Sequence, residues 1–248
     1  ETFTYNNSDH IITVSNDKQR NLKQKGVDKS KISVIHNRID TAKIIHIKRN
    51  INLLFDELNL QRNKFYVVYA GNLGKVQGID NLLHAAALMK GKTDVNFLIF
   101  GNGSEENKVQ EEIKANDLFN IALYPLQAQN RISEVYSMGN VCIVSCRPGT
   151  GKSGMPSKTW AIMATGTPII ASFDIDSEMK KTIDEAQCGI CVEPGNPLAL
   201  ADAICKIYQN PTLAQKMGEN ARQYVMEHAS KSVAVSRYIE QIEKEINS

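Results

Sequence analysis

Long apolar runs are missing from this chain. Nowhere do about eighteen apolar residues follow one another, so no membrane-spanning helix is expected. A leader pattern is missing too, and a cytoplasmic location is expected, with the inner face of the membrane as an option. Cysteine is sparse: five residues, an odd number, mostly inside apolar stretches. Cys188-Gly-Ile-Cys191 has C-x-x-C spacing, but no second pair accompanies it. A four-cysteine zinc site therefore has no support, and the thiols are expected as small core residues. No Asp-x-Asp element or histidine cluster is read as metal-ligating, so neither a metal nor a cofactor is expected. An excess of one charge is missing as well: the formal net charge is +2, which gives no global basis for binding nucleic acid. Internal repeats and low-complexity tracts are absent.

The charge that is present is uneven. Residues 17–49 hold ten Lys/Arg against three Asp, leaving the remainder acidic. Such a stretch reads first as a solvated surface. The functional alternative is a face toward anionic lipid, meaning peripheral membrane association, or toward a phosphate-bearing acceptor.

With 248 residues, 42% of them hydrophobic, the chain can bury a sizeable core in one large domain or two small ones. Apolar runs of strand length recur at 64–71 (KFYVVYAG), 94–101, 120–126, 140–146, 167–173 and 188–194. Most are continuous rather than alternating, as in strands buried on both faces. Helical patterns lie between them. Asn196-Pro197 and Asn210-Pro211 each read as a cap followed by proline at the first helical position. A last helix begins at about Ser232. The alternation predicts an α/β fold, a doubly wound parallel sheet of the Rossmann kind, whose ligands bind in the loops after the strands. An earlier strand–helix–strand piece, 9–40, is set apart by a polar stretch, 41–64, and reads as the tail of a different domain. The chain opens at Glu1 in what reads as mid-domain, so a fragment of something longer is expected.

The segment 145–160, SCRPGTGKSGMPSKTW, contains an imitation of an ATPase phosphate loop. The G-x-x-x-x-G-K-[ST] pattern requires glycine where Cys146 stands, and the loop must run straight into a helix. Gly154-Met155-Pro156 intervenes, and proline disfavours helix in the residue before it. A P-loop nucleotide-binding protein is thus the weakest of three readings. The better anion site is the first turn of a helix over 157–164, with Ser157 and Lys158. Lysine there runs against the helix dipole and makes sense beside an anion. A second cradle is AGNLGKVQG, where Gly71, Gly74 and Gly78 flank Lys75 ahead of a helix. A third glycine loop, Gly101-Asn102-Gly103, lacks the last glycine of a dinucleotide fingerprint. Trp160 is expected in the core.

Together YAGNLGKVQGIDNLLHAAALM, FLIFGNG, MATGTPIIAS, GICVEPGNPLALADAI and MGENARQYV, in that order and spacing, resemble the donor-binding half of a group 1 (family 4) retaining glycosyltransferase of GT-B type. GMPSKTW is similar to the bacterial branch that builds capsule, O-antigen and exopolysaccharide. The resemblance implies a tail of the N-terminal acceptor domain with linker (1–40) and a nucleotide-sugar-binding domain (41–228). It also implies a helix (229–248) crossing back to the acceptor domain.

The resemblance further implies retaining transfer of a hexosyl or N-acetylhexosaminyl group. The donor would be a UDP- or GDP-sugar, and the acceptor a saccharide or polyprenyl-linked sugar held by the missing domain. The fragment alone would be inactive. Donor contacts are implied at Gly71, Asn72, Leu73, Gly74, Gln77, Gly101, Asn102, Gly103, Ser153, Gly154, Pro156 and Ser157. The base would meet the backbone at Tyr124, Pro125 and Leu126, and Met155 and Ser157 would line the sugar. The family's usual Arg and Lys of the first loop are Asn72 and Gln77 here, and its paired Glu are Ser153 and Ala161. Lys75 and Lys158 are the expected replacements, converging at the strand ends as the catalytic cations. The missing pairs also favour, as an alternative, a sugar-nucleotide-binding module without catalysis.

Overall fold

The computed structural model describes residues 2–247. A short helix α1 (Thr2–Asn6) precedes β1 (Ile11–Thr13), α2 (Asn16–Gln24) and β2 (Ile32–Val34), and β1 and β2 pair in parallel. After a one-turn α3 (Leu54–Glu57) comes the main set: β3 (Phe65–Asn72), α4 (Ile79–Leu88), β4 (Val95–Asn102), α5 (Glu106–Ala115), β5 (Ile121–Tyr124) and α6 (Ile132–Met138). It continues with β6 (Val141–Ser145), α7 (Ser157–Ala164), β7 (Ile169–Ser172), α8 (Glu178–Ala186) and β8 (Gly189–Val192). The last helices are α9 (Pro197–Tyr208), α10 (Pro211–His228) and α11 (Lys231–Ile246).

Among the described residues, six parallel strands form one sheet in the order β5-β4-β3-β6-β7-β8. From β3 the chain first builds outward through β4 and β5, then returns to the other side for β6. The switch point, where doubly wound sheets bind ligands, therefore lies between β3 and β6. The local reasons for the helices are those in the sequence. Asn196 and Asn210 accept from the backbone N–H of Ala199 and Leu213, and Pro197 and Pro211 follow at the first positions. Each sheet face carries its own core. Tyr66, Val68, Ala70, Val144 and α7 residues such as Trp160 (2% exposed) pack on one face. Val67, Tyr69, Ile143 and the α4 and α9 residues pack on the other.

Residues 41–64, polar in sequence, pack on this body: Leu54 and Phe55 are buried and Ile44, Leu58 and Leu60 pack on the first core. Arg49, counted above with the basic surface, is a brace beneath the starts of β3 and β6. Its guanidinium donates to the carbonyls of Arg62 and Lys64 (2.8 Å each) and Met138 (3.0 Å), and to the Asn140 side chain. It lies 5.5 Å from the Phe55 ring centroid and 5.6 Å from that of Tyr66. Lysine has no fork to serve these acceptors. Arg49→Lys is expected to cost roughly 2–3 kcal/mol of stability, read by calorimetry, without changing any ligand bound at the far ends of the strands.

The first forty residues dock on the same body. Ser33 donates to Gln241 and His10 meets Glu245 (3.1 Å), both on α11.

Candidate functional site

The β3–β6 ladder is short: only Val67↔Val141 and Val68↔Cys142 are paired, whereas β3 pairs with β4 over its whole length. Beyond Val68 the two strands part, and a crevice opens at their carboxyl ends. Lys158 enters it from the first turn of α7. Pro156 caps that helix without a side-chain hydrogen bond; Thr159 N–H donates to the Pro156 carbonyl at 3.0 Å, which leaves the N–H groups of Ser157 and Lys158 for a ligand.

The residue keeps some exposed surface, but its Nζ has essentially none and makes no hydrogen bond. Nζ sits 4.1 Å from the centroid of Tyr69, a ring that belongs to the opposite core. The ammonium thus crosses between the strands where their ladder has ended. Gly71, at φ +146°, makes room: a Cβ there would lie 2.6 Å from Nζ. Burial pushes the Lys158 amine down to about 8, which the nearby Cys142 opposes more weakly.

Two hollows meet at Lys158, sharing Asn72 and Ser157. One, of about 430 Å³, is walled by Phe100, Leu126, Ile132 and Tyr136. The other, of about 390 Å³, is lined by Gln77, Ser145, Cys146, Thr150, Gly154 and Phe173. A flat apolar-walled space and a mixed polar space, joined at a buried cation beside free helix N–H groups, suit an anion that links two unlike groups.

Several expected residues fall elsewhere. Lys75 does not converge with Lys158. Exposed on a 3₁₀ turn, it lines a narrow cleft with Glu105, Lys108 and Arg147, because Gly74 and Lys75 turn away before Val76 and Gln77 come back. Met155 is a core residue (7% exposed) and does not line either hollow. Tyr124 stacks on Phe100 at 5.3 Å, behind the wall, and Pro125 is not in the lining either. Leu73 is fully buried and, with Gly101, Asn102 and Gly103, holds the β3 turn against β4. Its N–H donates to Asn102 and its carbonyl accepts from Glu105. Gly71, Asn72, Gln77, Leu126, Gly154, Pro156, Ser157 and Lys158 line the paired hollows. The Ser153 side chain lies outside the described residues.

The PGTGKS segment binds no phosphate in the P-loop manner, since its donors are occupied. Gly149 and Gly151 donate to the Asp174 carboxylate at 2.9 and 2.7 Å, and Lys152 pairs with Asp176. The sequence does contain one Asp-x-Asp, Asp174-Ile175-Asp176, and these contacts show its use: it ties down the loop that ends at α7. No group of three His, Cys, Asp or Glu that could hold a metal occurs among the described residues.

Tyr69, Ser145, Thr150, Phe173, Ile132 and Tyr136 were not foreseen. For Tyr69, Ser145, Thr150 and Phe173 the sequence signal was position near a strand end; Ile132 and Tyr136, on α6, carried none. A larger hollow, about 1100 Å³, lies at the other end of the sheet under α10, with Phe65, Pro168, Tyr208 and Met226 on its walls. Its arginine, Arg222, is spent on the carbonyls of Thr41, Ile44 and Ala164, so it offers an anion little.

Residues 50–224 match the family model described as glycosyl transferases group 1, and residues 1–43 match that of glycosyltransferase family 4. The putative colanic acid biosynthesis glycosyl transferase WcaI of Escherichia coli K12 is 25% identical over 238 residues, covering 95% of this chain and 57% of the relative. The probable glycosyltransferase WbjE of Pseudomonas aeruginosa is 26% identical over 214 residues, 83% of this chain and 52% of the relative. The chain therefore spans a little over half the length of these curated relatives. Anabaena Alr3699/HepE, solved in complex with UDP, shares the fold at a TM-score of 0.84 and 17% identity, over 96% of this chain and 64% of that one. Since the group 1 model covers most of the sequence, from 50 to 224, the chain belongs to the group 1 glycosyl transferases.

Proposed function

We propose that this chain is the donor-binding half of a glycosyltransferase, with the diphosphate of a UDP- or GDP-sugar at Lys158. The observation that carries this reading is the buried, unpartnered ammonium at the junction of two hollows. The nucleoside would occupy the space walled by Phe100, Leu126 and Ile132. The sugar would occupy the side of Gln77, Thr150 and Gly154, where hydroxyl and amide groups can meet its hydroxyls. In the transfer the bond between the anomeric carbon and the phosphate oxygen breaks, and its electron pair leaves on the β-phosphate. The acceptor hydroxyl oxygen bonds that carbon with retention, and its proton passes to the departing diphosphate. Lys158 and the N–H groups of the first α7 turn stabilise the charge growing on the leaving diphosphate.

The name of the colanic acid biosynthesis relative supports a saccharide acceptor in surface polysaccharide synthesis. Transfer of a hexosyl or N-acetylhexosaminyl group and work at the inner membrane face complete the reading and rest on the family resemblance alone. Lys75 lies outside the paired hollows and is not part of this charge stabilisation.

Transfer by the full-length protein carrying Lys158→Ala is expected to fall by roughly 10²–10³-fold with its circular dichroism unchanged. Near-normal turnover would remove Lys158 from the diphosphate. Asn72, Gln77 and Ala161, in place of the residues the family usually carries, favour a second reading: a module that binds sugar nucleotides without transfer. Thermal stabilisation by UDP or GDP with no turnover by the full-length protein would select it. Magnesium-dependent stabilisation by ATP alone would defeat both.

A further inference from the structure

Tyr69 is fully buried at the end of β3, and two observations join it to the site. Its ring centroid lies 4.1 Å from Lys158 Nζ, the closest interaction given to an ammonium that has no hydrogen-bond partner. Its hydroxyl donates to the Asn72 carbonyl at 2.7 Å, in the turn whose Gly71 leaves the space Nζ fills. One side chain therefore seats the cation and fixes the backbone beside it.

The other titratable groups facing the amine are the Cys142 thiol on β6, Tyr136 on α6 and Cys146 at the rim of the second hollow. Burial pushes all three, and Tyr69 itself, upward, which favours their neutral forms. No carboxylate among the described residues forms an ion pair with Lys158. The π face is what offers negative charge to the ammonium before a ligand arrives.

We propose that Tyr69 is the positioning residue of the donor site: its ring is the resting partner of the Lys158 ammonium, holding it charged and aimed until a diphosphate takes it over. The inference rests on the donor reading above and adds a linkage. A ligand that binds only the charged amine must recruit a proton wherever the free site has lost it, so affinity falls as pH rises through the amine's midpoint. The ring raises that midpoint, because it stabilises the charged form alone.

UDP titrated calorimetrically into the 248-residue chain tests this. Above pH 7.5 the terminal phosphate, with a second pKa of about 6, is already ionised and adds no titration of its own. Affinity is expected to fall roughly 20-fold between pH 7.5 and 9.5, with close to one proton taken up per UDP at pH 9 in buffers of different ionisation enthalpy. Tyr69→Phe keeps the ring and should keep the midpoint. Tyr69→Met should move it down by about one unit, weakening UDP about tenfold at pH 9.5 and only about threefold at pH 7.5. Where methionine fails to fold, trifluorophenylalanine at position 69 keeps the shape and drains the π face, and should shift the midpoint the same way.

A merely structural role would weaken binding equally at every pH. An unmoved midpoint in both the methionine and the fluorinated variants overturns the proposal. So does a phenylalanine variant whose midpoint moves as far as that of the methionine one. If neither UDP nor GDP binds the wild-type chain, the donor reading fails instead. The Lys158 titration, followed by carbon-13 lysine NMR without ligand, then decides the part of Tyr69 by the same midpoint comparison.

Discussion

Lys158→Met should make the chain more stable and less able to hold a nucleoside diphosphate. Burial moves this amine from an ordinary 10.5 down to about 8. At about 1.4 kcal/mol per unit, that corresponds to roughly 3 kcal/mol held against folding at neutral pH. Methionine keeps the length and carries no charge to desolvate, so a gain of about 2–3 kcal/mol is expected at pH 7.

The sign follows from the protons. Between about pH 8 and 10.5 the unfolded lysine still holds its proton while the folded one has lost it, so wild-type stability rises with pH across that window. The advantage of the variant is therefore full below pH 8 and closes toward pH 10.5. Denaturant unfolding at pH 7 and pH 10.5 reads this directly. UDP affinity should drop about 10²-fold in the same variant, the worth of a charge-assisted contact. A destabilised variant would mean that the amine has a hydrogen-bonding or anionic partner in the free protein, beyond the Tyr69 ring. A stabilised one with normal UDP affinity would place the diphosphate elsewhere.

Gly103→Ala should damage both the fold and the site, from the far side of the β3 turn. The residue has φ +150°, a region an L side chain rarely adopts. An added Cβ would stand 2.4 Å from the Asn72 side-chain oxygen and 2.8 Å from the Leu73 carbonyl carbon and oxygen. The first can swing away, but the backbone cannot, because Leu73 is tied to Asn102 and Glu105 by its N–H and carbonyl. The turn must lift, and with it Gly71 and Asn72. A loss of roughly 2–4 kcal/mol is expected from strain and overpacking together. Calorimetry should show the fall in melting temperature, and UDP binding should weaken at a temperature where the variant is still folded. Unchanged UDP affinity in the folded variant would show that the turn does not set the site.

Much of this was open to reading residue by residue. Continuous apolar runs of strand length read as strands buried on both faces, and their alternation with capped helices points to a parallel sheet with its ligands at the carboxyl ends. The helix over 157–164 and its lysine followed from Pro156 and Ser157, which are local signals. PGTGKS failed as a phosphate loop on local grounds as well, since Pro156 delays the helix until it starts too late for Lys152. In residues 41–64 the apolar members are spaced among charges, and only packing shows that Arg49 turns inward, to three carbonyls, the Asn140 side chain and two rings.

The sequence by itself determined the fold class, the order of elements, the family and the helix start that carries Lys158, because each rests on periodicity, capping or motif spacing along the chain. The tertiary structure alone decided which cation meets the crevice. Strand order places β6 beside β3 and ends their ladder at Cys142, so Lys158 comes to lie on Tyr69 while Lys75, only three residues beyond Asn72, turns to another cleft. The direction of a side chain at a turn depends on backbone angles and on neighbours distant in sequence, and no spacing of residue types records either.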